Sequence, residues 1–566
     1  MTSRNHSPQT EMSHVNRRKF LQTSGTVGAA LALTTTASTA NASTAHAQSS
    51  LSSRPEPHMV EPTLGERPFL HGVASGDPIP DSVVLWTRVT PDADAMPGSG
   101  AGAPTPVKWE IARDEEFRDI VKRGEVTTDP AQDHTVHVDP HGLEPDSVYY
   151  FRFHAQDKIS PVGRTKTAPA VTASPGELTF GVASCANWES GFFQAYGDIA
   201  QRGRAGQLDY MVFLGDYIYE YPQREYAGFG PVRLHHPAHE ITTLEDYRTR
   251  LGRYRTDENL QAAHAALPWI AVWDDHETAD NSWRDGAKNH TEGKEGAWLD
   301  RRNAAMQAYF EWMPVRASNP SNDGHLYRCL TFGDLVELTM MDLRTYRDKQ
   351  VLFGPARMSA EGRSMLGSEQ YDWLVNKIDT SAAAWNMLGN SVMFSPMNLA
   401  TLQRDDKLAP VSSSLSSNIT GIPVNGDQWD GYSAERRMLI DALAKHDSHA
   451  LFVTGDIHSE WAHNISKDGH IFGAELVCSS VSAPNVNEQL HLPEDNELSK
   501  LAEHFLLEAN SHTRHVNLDH HGYSYVTIRP DSAEMHWLRV EDLLNPAAAV
   551  NEAVTLTWRP DEGFSS

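Results

Sequence analysis

Five apolar runs in the sequence each end on side chains able to bind a metal or move a proton. "FGVASC" ends at Cys185, and "VFLGD" ends at Asp216 with Tyr219 three residues on. "IAVWDDHE" ends at Asp274, Asp275, His276 and Glu277, "NMLGN" at Asn390, and "LFVTGDIH" at Asp456 and His458. One Asp after a strand is commonly a turn cap. The same pattern at five carboxyl ends, the edge where open α/β sheets bind ligands, points to one convergent site. The donors sort into two sets. Cys185, Asp216, Tyr219 and His458 offer thiolate, carboxylate, phenolate and imidazole, which suit ferric iron, Fe(3+), better than magnesium. Asp216, Asp275, Asn390 and Asp456 offer only oxygen, which suits a hard cation such as calcium, Ca(2+). Two metals bridged by one carboxylate, roughly 3.5–4 Å apart, are the arrangement that holds a phosphoryl group for in-line attack.

The elements that must position these residues are legible as patterns. Apolar strands "LTFGVAS", "YMVFLG", "WIAVW", "LVELTMM" and "ALFVTG" alternate with helical periodicity in "SGFFQAYGDIAQRG" and "EGAWLDRRNAAMQAYFEWM". This predicts a layered α/β domain over residues 178–566. Polar segments at 222–246 and 404–431 interrupt it and have the length of functional lids or insertions. Upstream, "SVVLWTRVT", "VKWEIARD", "HTVHVDPHG" and "SVYYFRFHAQ" are short alternating runs separated by turn clusters. They predict an all-β sandwich of immunoglobulin or fibronectin type III kind over 68–164. Residues 165–177, "TKTAPAVTASPGE", form the linker, and 48–67 an unstructured lead-in. A multidomain chain is also what 566 residues suggest, since this exceeds what one core usually serves.

Residues 1–47 carry Arg17-Arg18, a short Gly- and Thr-containing apolar stretch and Ala45-His46-Ala47. This is the pattern of a twin-arginine signal peptide. The apolar stretch is too short to anchor in a bilayer, and no later segment approaches twenty apolar residues. The expectation is a protein handed to the twin-arginine export machinery and released to the periplasm or the exterior, with no integral membrane association. The net charge is −27, and removal of the signal leaves it near −30. Such a surface repels polyanions, which excludes nucleic acid as an expected partner. The three cysteines are Cys185, Cys329 and Cys478, in a compartment that permits disulfides.

"SCANWESG", "LGDYIYE", "WDDHE" and "GDIHSEW", with "GVASGDP" at 72–78 and "MDLRTYRD" at 341–348, resemble the PhoD-type alkaline phosphatase and phosphodiesterase family. That family lies within the calcineurin-like metallophosphoesterase superfamily and is related in site design to purple acid phosphatases. The resemblance covers nearly the whole mature chain. It implies two packed mixed sheets flanked by helices in a metallophosphoesterase domain behind the β-sandwich. It also implies a ferric site from Cys185, Asp216, Tyr219 and His458, and calcium on Asp216, Asp275, Asn390 and Asp456. His276 corresponds to the histidine that stabilises charge on the transferring phosphoryl group. The superfamily usually has Asp-x-His in its first motif and Gly-His-x-His in its fourth. Cys185 and Asp456 depart from this as the PhoD branch does, and at Asn390 a histidine is commoner. Asp274 stays open between a supporting group and a ligand of a further calcium. With Cys185 a ligand, Cys329 and Cys478 remain available for a disulfide.

The implied substrates are small phosphate mono- and diesters, taken for phosphate acquisition, with a phospholipase D-like action on lipid head groups as the alternative. A calcium-dependent surface protein would account for the acidity and the sandwich, but has no use for Cys185 and Tyr219. His235, His236 and His239 lack a surrounding ligand frame and read as a solvated loop. Arg344 and Arg347 suit either a phosphate clamp or pairing with structural carboxylates. Ser184 lacks the Gly-x-Ser-x-Gly elbow of a serine nucleophile.

Overall fold

A computed structural model describes residues 65–322, 324–351, 355–399, 422–423, 425–446 and 448–565. The expected signal peptide, most of the lead-in and the 404–421 part of the second polar segment lie outside the described residues.

In the N-terminal region, β1 (Val73–Ile79) and β2 (Ser82–Arg88) form one hairpin, and β3 (Pro106–Ala112) and β4 (Ile120–Thr127) another. Strand β5 (Thr135–Val138) joins β2. Strands β6 (Val148–Ala155), β7 (Lys158–Ile159) and β8 (Gly163–Lys166) complete the sheet of β3 and β4. The two layers enclose Val73, Leu85, Val107, Ile111, Val136, Phe151 and Phe153. The region is thus all-β, in two facing layers. β1 pairs in parallel with a later strand through Gly76 and Trp269, so the layer of β1, β2 and β5 continues into the main sheet of the following domain.

That main sheet is built on β9 (Leu178–Ala183), β10 (Tyr210–Phe213) and β11 (Trp269–Ala271), which are mutually parallel and almost wholly buried. Continuous apolar sequence is what a parallel strand covered on both faces requires. A second sheet contains β12 (Arg328–Phe332), β13 (Val336–Met340) and β14 (Trp385–Asn390). A small ribbon of β15 (Asn398–Leu399) and β16 (Ile422–Pro423) follows. The second sheet is completed by β17 (His449–Thr454), β18 (Glu460–Lys467), β19 (His470–Val477) and β20 (Thr513–Asn517). Its order is β12-β13-β14-β17-β19-β18-β20, with β13, β14, β17 and β19 parallel. The antiparallel strands β21 (Gly522–Arg529), β22 (Ser532–Val540), β23 (Val550–Arg559) and β24 (Gly563–Ser565) return to β9 and extend the first sheet to ten strands.

The two sheets face each other. Phe180 of β9 meets Phe332 of β12 edge-on at 5.3 Å, and Trp385 of β14 meets Trp558 of β23 at 5.4 Å. Trp537 Nε1 of β22 donates to the Val477 carbonyl of β19 at 3.0 Å, which satisfies an indole N–H inside this apolar layer. Outside the first sheet, Tyr196 of helix Gln194–Arg204 packs on Phe213 and Trp269. Outside the second, helices Gly367–Thr380 and Ser433–Leu443 set Leu374, Ile378 and Leu439 against Leu388 and Phe452. Helix starts carry the expected chemistry. Thr243 and Asp246 form a capping box at Leu244–Tyr254, and Asp257 caps Glu258–Ala266.

Candidate metal centre

The five strand ends come from both sheets. Strands β9, β10 and β11 of the first sheet are followed by Cys185, Asp216 and Asp274–Glu277. In the second sheet, β14 ends on Asn390 and β17 is followed by Asp456 and His458. Two glycines let these ends approach. A Cβ on Gly215 would lie 2.3 Å from the Asp274 nitrogen, and one on Gly455 would lie 2.5 Å from Ser184 Oγ. Four of the candidate ligands have left-handed backbone: Cys185, Asp216, Asp456 and His458 have φ of 62°, 56°, 65° and 53°. Left-handed backbone costs about 1–2 kcal/mol at a residue with a Cβ, and such residues cluster at functional sites. At Cys185 and Asp216 it is held by hydrogen bonds from Cys185 N to Gly215 O (3.1 Å) and from Ala186 N to Asp216 O (2.9 Å).

Three groups of side chains place possible metal-binding atoms within 4.8 Å of one another: Cys185, Asp216 and His458; Asp216, Asp275 and His276; and Asp274, Asp275 and Asp456. Asp216 belongs to the first two. Its Oδ2 accepts from the Tyr219 hydroxyl at 3.0 Å and lies 3.4 Å from Cys185 Sγ, while its Oδ1 accepts from the His276 backbone N–H at 3.3 Å. Tyr219 OH also lies 3.2 Å from His458 Nε2. The other nitrogen of that ring, Nδ1, donates to the Pro484 carbonyl at 3.0 Å, which leaves Nε2 facing the cluster. The Asn390 side chain is buried with its oxygen accepting from Trp429 Nε1 (2.9 Å) and its amide donating to Val392 O and Thr454 Oγ1. These bonds tie it to the base of the site and not to the carboxylates.

The electrostatics fit a cation. Burial, reinforced by the charge of Asp216, pushes the Cys185 thiol and the Tyr219 phenol well above their ordinary values. Burial likewise raises the Asp216 carboxyl, with His276 opposing and Asp275, Asp274 and Glu277 adding to the rise. A cation among these donors would reverse all three directions. Asp275 Oδ1 is a buried oxygen that accepts no hydrogen bond. Burial would raise this carboxyl, but Arg344, whose Nη2 stands 3.5 Å from Oδ1, and His276 lower it. His276 is different. Burial opposes its charge, but Glu220, Asp275 and Asp216 outweigh it and raise the imidazole well above its usual value. Its Nδ1 lies 2.6 Å from Glu220 Oε2, and its ring stands 4.2 Å from that of Tyr219, with Tyr221 and Tyr226 further out.

The third group already holds a cation, the Arg344 guanidinium. It donates to both oxygens of Asp274 at 2.6 Å, to Asp427 Oδ2 at 3.0 Å and to Asp456 Oδ1 at 3.2 Å. Arg347 donates to Asp427 Oδ1 and to two backbone carbonyls. Both arginines therefore pair with carboxylates, and Asp274 spends both oxygens on Arg344. The available pair Cys329 and Cys478 is not bonded. All three cysteines are free; Cys329 on β12 contacts Glu337, whereas Cys478 lies beside Ser184. The histidine cluster also differs from the solvated-loop expectation. His235 is buried with its ring stacked on Tyr254, while His239 stays outside and pairs with Asp246.

Residues 180–537 match the family described as PhoD-like phosphatase, and residues 53–169 match its N-terminal domain. The chain belongs to the PhoD-like phosphatase family. It is 37% identical over 565 residues to alkaline phosphatase D of Bacillus subtilis (strain 168), a match covering 97% of this chain and 88% of that protein. A solved structure described as that of PhoD superposes with a TM-score of 0.78 at 36% identity, covering 89% of this chain and 93% of that one. As a PhoD-like phosphatase the chain is a phosphoesterase, which sets aside the reading as a calcium-dependent surface protein.

Several residues of this PhoD-like site lie outside the ligand sets read from sequence. Glu277 accepts from the backbone nitrogens of Asp216, Tyr217 and Asp274, clamping the ends of β10 and β11 together; burial raises its carboxyl to about 7. Glu220 fixes His276 and accepts from Asp280 N and Asn289 Nδ2. Gln428 Nε2 donates to Asp456 Oδ2 at 2.7 Å. The run "GDYIYE" to "WDDHE" contained the two glutamates, and their acidity inside a motif was the available signal. Gln428 sits in a polar loop with no period to mark it.

Proposed function

We propose that this phosphoesterase is an exported, metal-dependent enzyme that hydrolyses small phosphate mono- and diesters for phosphate acquisition. Ferric iron would be held by Cys185, Asp216, Tyr219 and His458. Calcium would be held by Asp216 and Asp275 beside Asp456, a carboxylate it would share with Arg344 and Gln428, with Asn390 at the base of the site. The observation that carries this reading is Asp216, whose two oxygens face two different groups of donors. When bound, such a metal pair supplies Lewis acidity that withdraws charge from phosphorus and acidifies water. The chain's own residues do the rest. Asp216 fixes the spacing of the two groups. Tyr219 and Cys185 close one side, leaving the Asp275 oxygen on the other. His276, with Nδ1 engaged by Glu220, presents Nε2 to the negative charge that develops on a phosphoryl oxygen, the kind of preorganised donor that stabilises transition states. The Tyr219, Tyr221 and Tyr226 rings wall this histidine.

The Arg17-Arg18 signal pattern and the A-x-A site at 45–47 support export through the twin-arginine route. Elemental analysis of protein purified without added metal, combined with assays on a monoester, a diester and a lipid head-group ester, tests the reading. About one iron per chain together with calcium and hydrolysis is expected. Hydrolysis by protein free of both metals would overturn it, and turnover of the lipid ester alone would redirect the substrate class.

A further inference from the structure

Outside the ligand sets, the structure contains a buried array of Ser480, His521 and Glu488. Ser480 Oγ lies 2.9 Å from His521 Nδ1, and His521 Nε2 lies 3.0 Å from Glu488 Oε2. All three residues are buried. A serine, a histidine and a carboxylate in line invite comparison with a nucleophilic triad, but the hydroxyl is spent. Ser480 Oγ donates to the Ala483 carbonyl at 2.7 Å, with Asn485 Oδ1 at 3.2 Å, and it has no exposed surface from which to attack a substrate.

The array braces a segment that touches the candidate centre twice. Ser480 bridges in parallel to Ser184, and Val481 N donates to Ser184 O at 2.9 Å. Ser482 N and Ala483 N both donate to the Cys185 carbonyl, at 3.3 and 3.1 Å. The next residue, Pro484, supplies the carbonyl that accepts from His458 Nδ1. The segment then turns into the short helix Val486–Gln489, where Glu488 Oε2 accepts from Asn485 N at 3.0 Å. His521, just before β21, thus ties the two ends of this segment to the first sheet, and Gly522 N adds a bond to the Ser480 carbonyl at 3.0 Å.

We infer that His521 is a positioning residue: by bridging Ser480 and Glu488 it holds the 480–488 segment so that Cys185 and the His458 ring keep their orientation toward Tyr219 and Asp216. It lies outside the three metal-binding groups and acts through the Pro484 carbonyl and the Cys185 backbone. The inference rests on the proposed metal centre for its functional consequence, but the bracing itself is a property of the chain alone.

The test uses full-length protein carrying His521→Leu, which removes both bonds, and His521→Gln, whose amide can still donate to Glu488. Two readouts are taken. One is the rate of iron release to a chelator from the loaded protein. The other is amide hydrogen exchange of residues 480–485 in metal-free protein. Loss of partners that orient a metal ligand costs about 10–100-fold in affinity. The Leu variant is therefore expected to release iron about 10-fold faster or more, with lost protection at Ser482 and Ala483, and the Gln variant to lie between it and wild type. A folded Leu variant with wild-type release and wild-type protection overturns the inference. If the Leu variant fails to fold, the Gln variant decides by the same criteria. If the wild-type protein binds no iron, the metal reading fails, and the exchange data alone judge the bracing: lost protection in a variant upholds it and unchanged protection overturns it.

Discussion

The phenol oxygen of Tyr219 lies 3.2 Å from Nε2 of His458, although the two residues follow strands of different sheets, β10 and β17. The site is thus a joint between the sheets, and its geometry depends on how tightly they are held.

Tyr219→Phe keeps the ring that packs 4.2 Å from His276 and removes only the oxygen shared by Asp216 and His458. The fold should survive with a nearly unchanged urea midpoint. Iron should bind about 10-fold or more weakly, and the visible absorption expected of a ferric phenolate should fall. Titration of the metal-free variant with ferric iron, followed by absorbance, checks both effects.

Glu277→Ala strands three backbone N–H groups, those of Asp216, Tyr217 and Asp274. Each unsatisfied buried donor costs about 1–3 kcal/mol, and water entering the vacated space recovers part of this. The net loss should be about 2–4 kcal/mol, read from chemical denaturation, with activity falling further than stability because the ends of β10 and β11 separate.

Glu460 on β18 receives two hydrogen bonds from Arg539 on β22, at 2.8 and 2.6 Å, across the two sheets. Burial alone would raise the Glu460 carboxyl, but Arg539 and His515 lower it below its usual value. The folded carboxyl thus binds its proton less readily than the unfolded one. Its contribution to stability is complete above the unfolded value, about 4, and is lost as pH falls toward the lower folded value. Arg539→Met should cost about 3 kcal/mol at neutral pH, with the difference from wild type shrinking as the pH drops below 4. Urea midpoints measured across that range test the sign.

Arg344 occupies the centre of four carboxylates, Asp274, Asp275, Asp427 and Asp456. Its removal by Arg344→Gln leaves like charges facing one another at close range. The variant should be markedly destabilised in chelator and regain stability on addition of calcium, which wild type needs far less. Thermal melts with and without calcium distinguish this from a simple loss of packing, which calcium would not repair.

Much of this arrangement was legible in the sequence because it lives on short apolar strands with polar ends. The runs ending at Cys185, Asp216, Asp275, Asn390 and Asp456 needed only local pattern to be found. What escaped were long-range pairings. Nothing near Gly76 says that β1 will lie beside Trp269, so the N-terminal layers looked self-contained. Arg344 left two partners open in sequence because a side chain's choice between phosphate and carboxylate depends on what the fold sets opposite it. The bracing by Glu277, Gln428 and the 480–488 segment depends on where backbone N–H groups fall in space, and no periodicity records that.

In the proposed centre Asp216 serves two metals at once. Asp216→Asn preserves the volume and removes the charge, so iron and calcium should be lost together. Elemental analysis of the folded variant beside wild type, both purified without added metal, reads this directly. Both contents should fall by similar fractions, and activity with them. A variant that keeps either metal at its wild-type content while losing the other, or keeps both, would contradict a shared carboxylate.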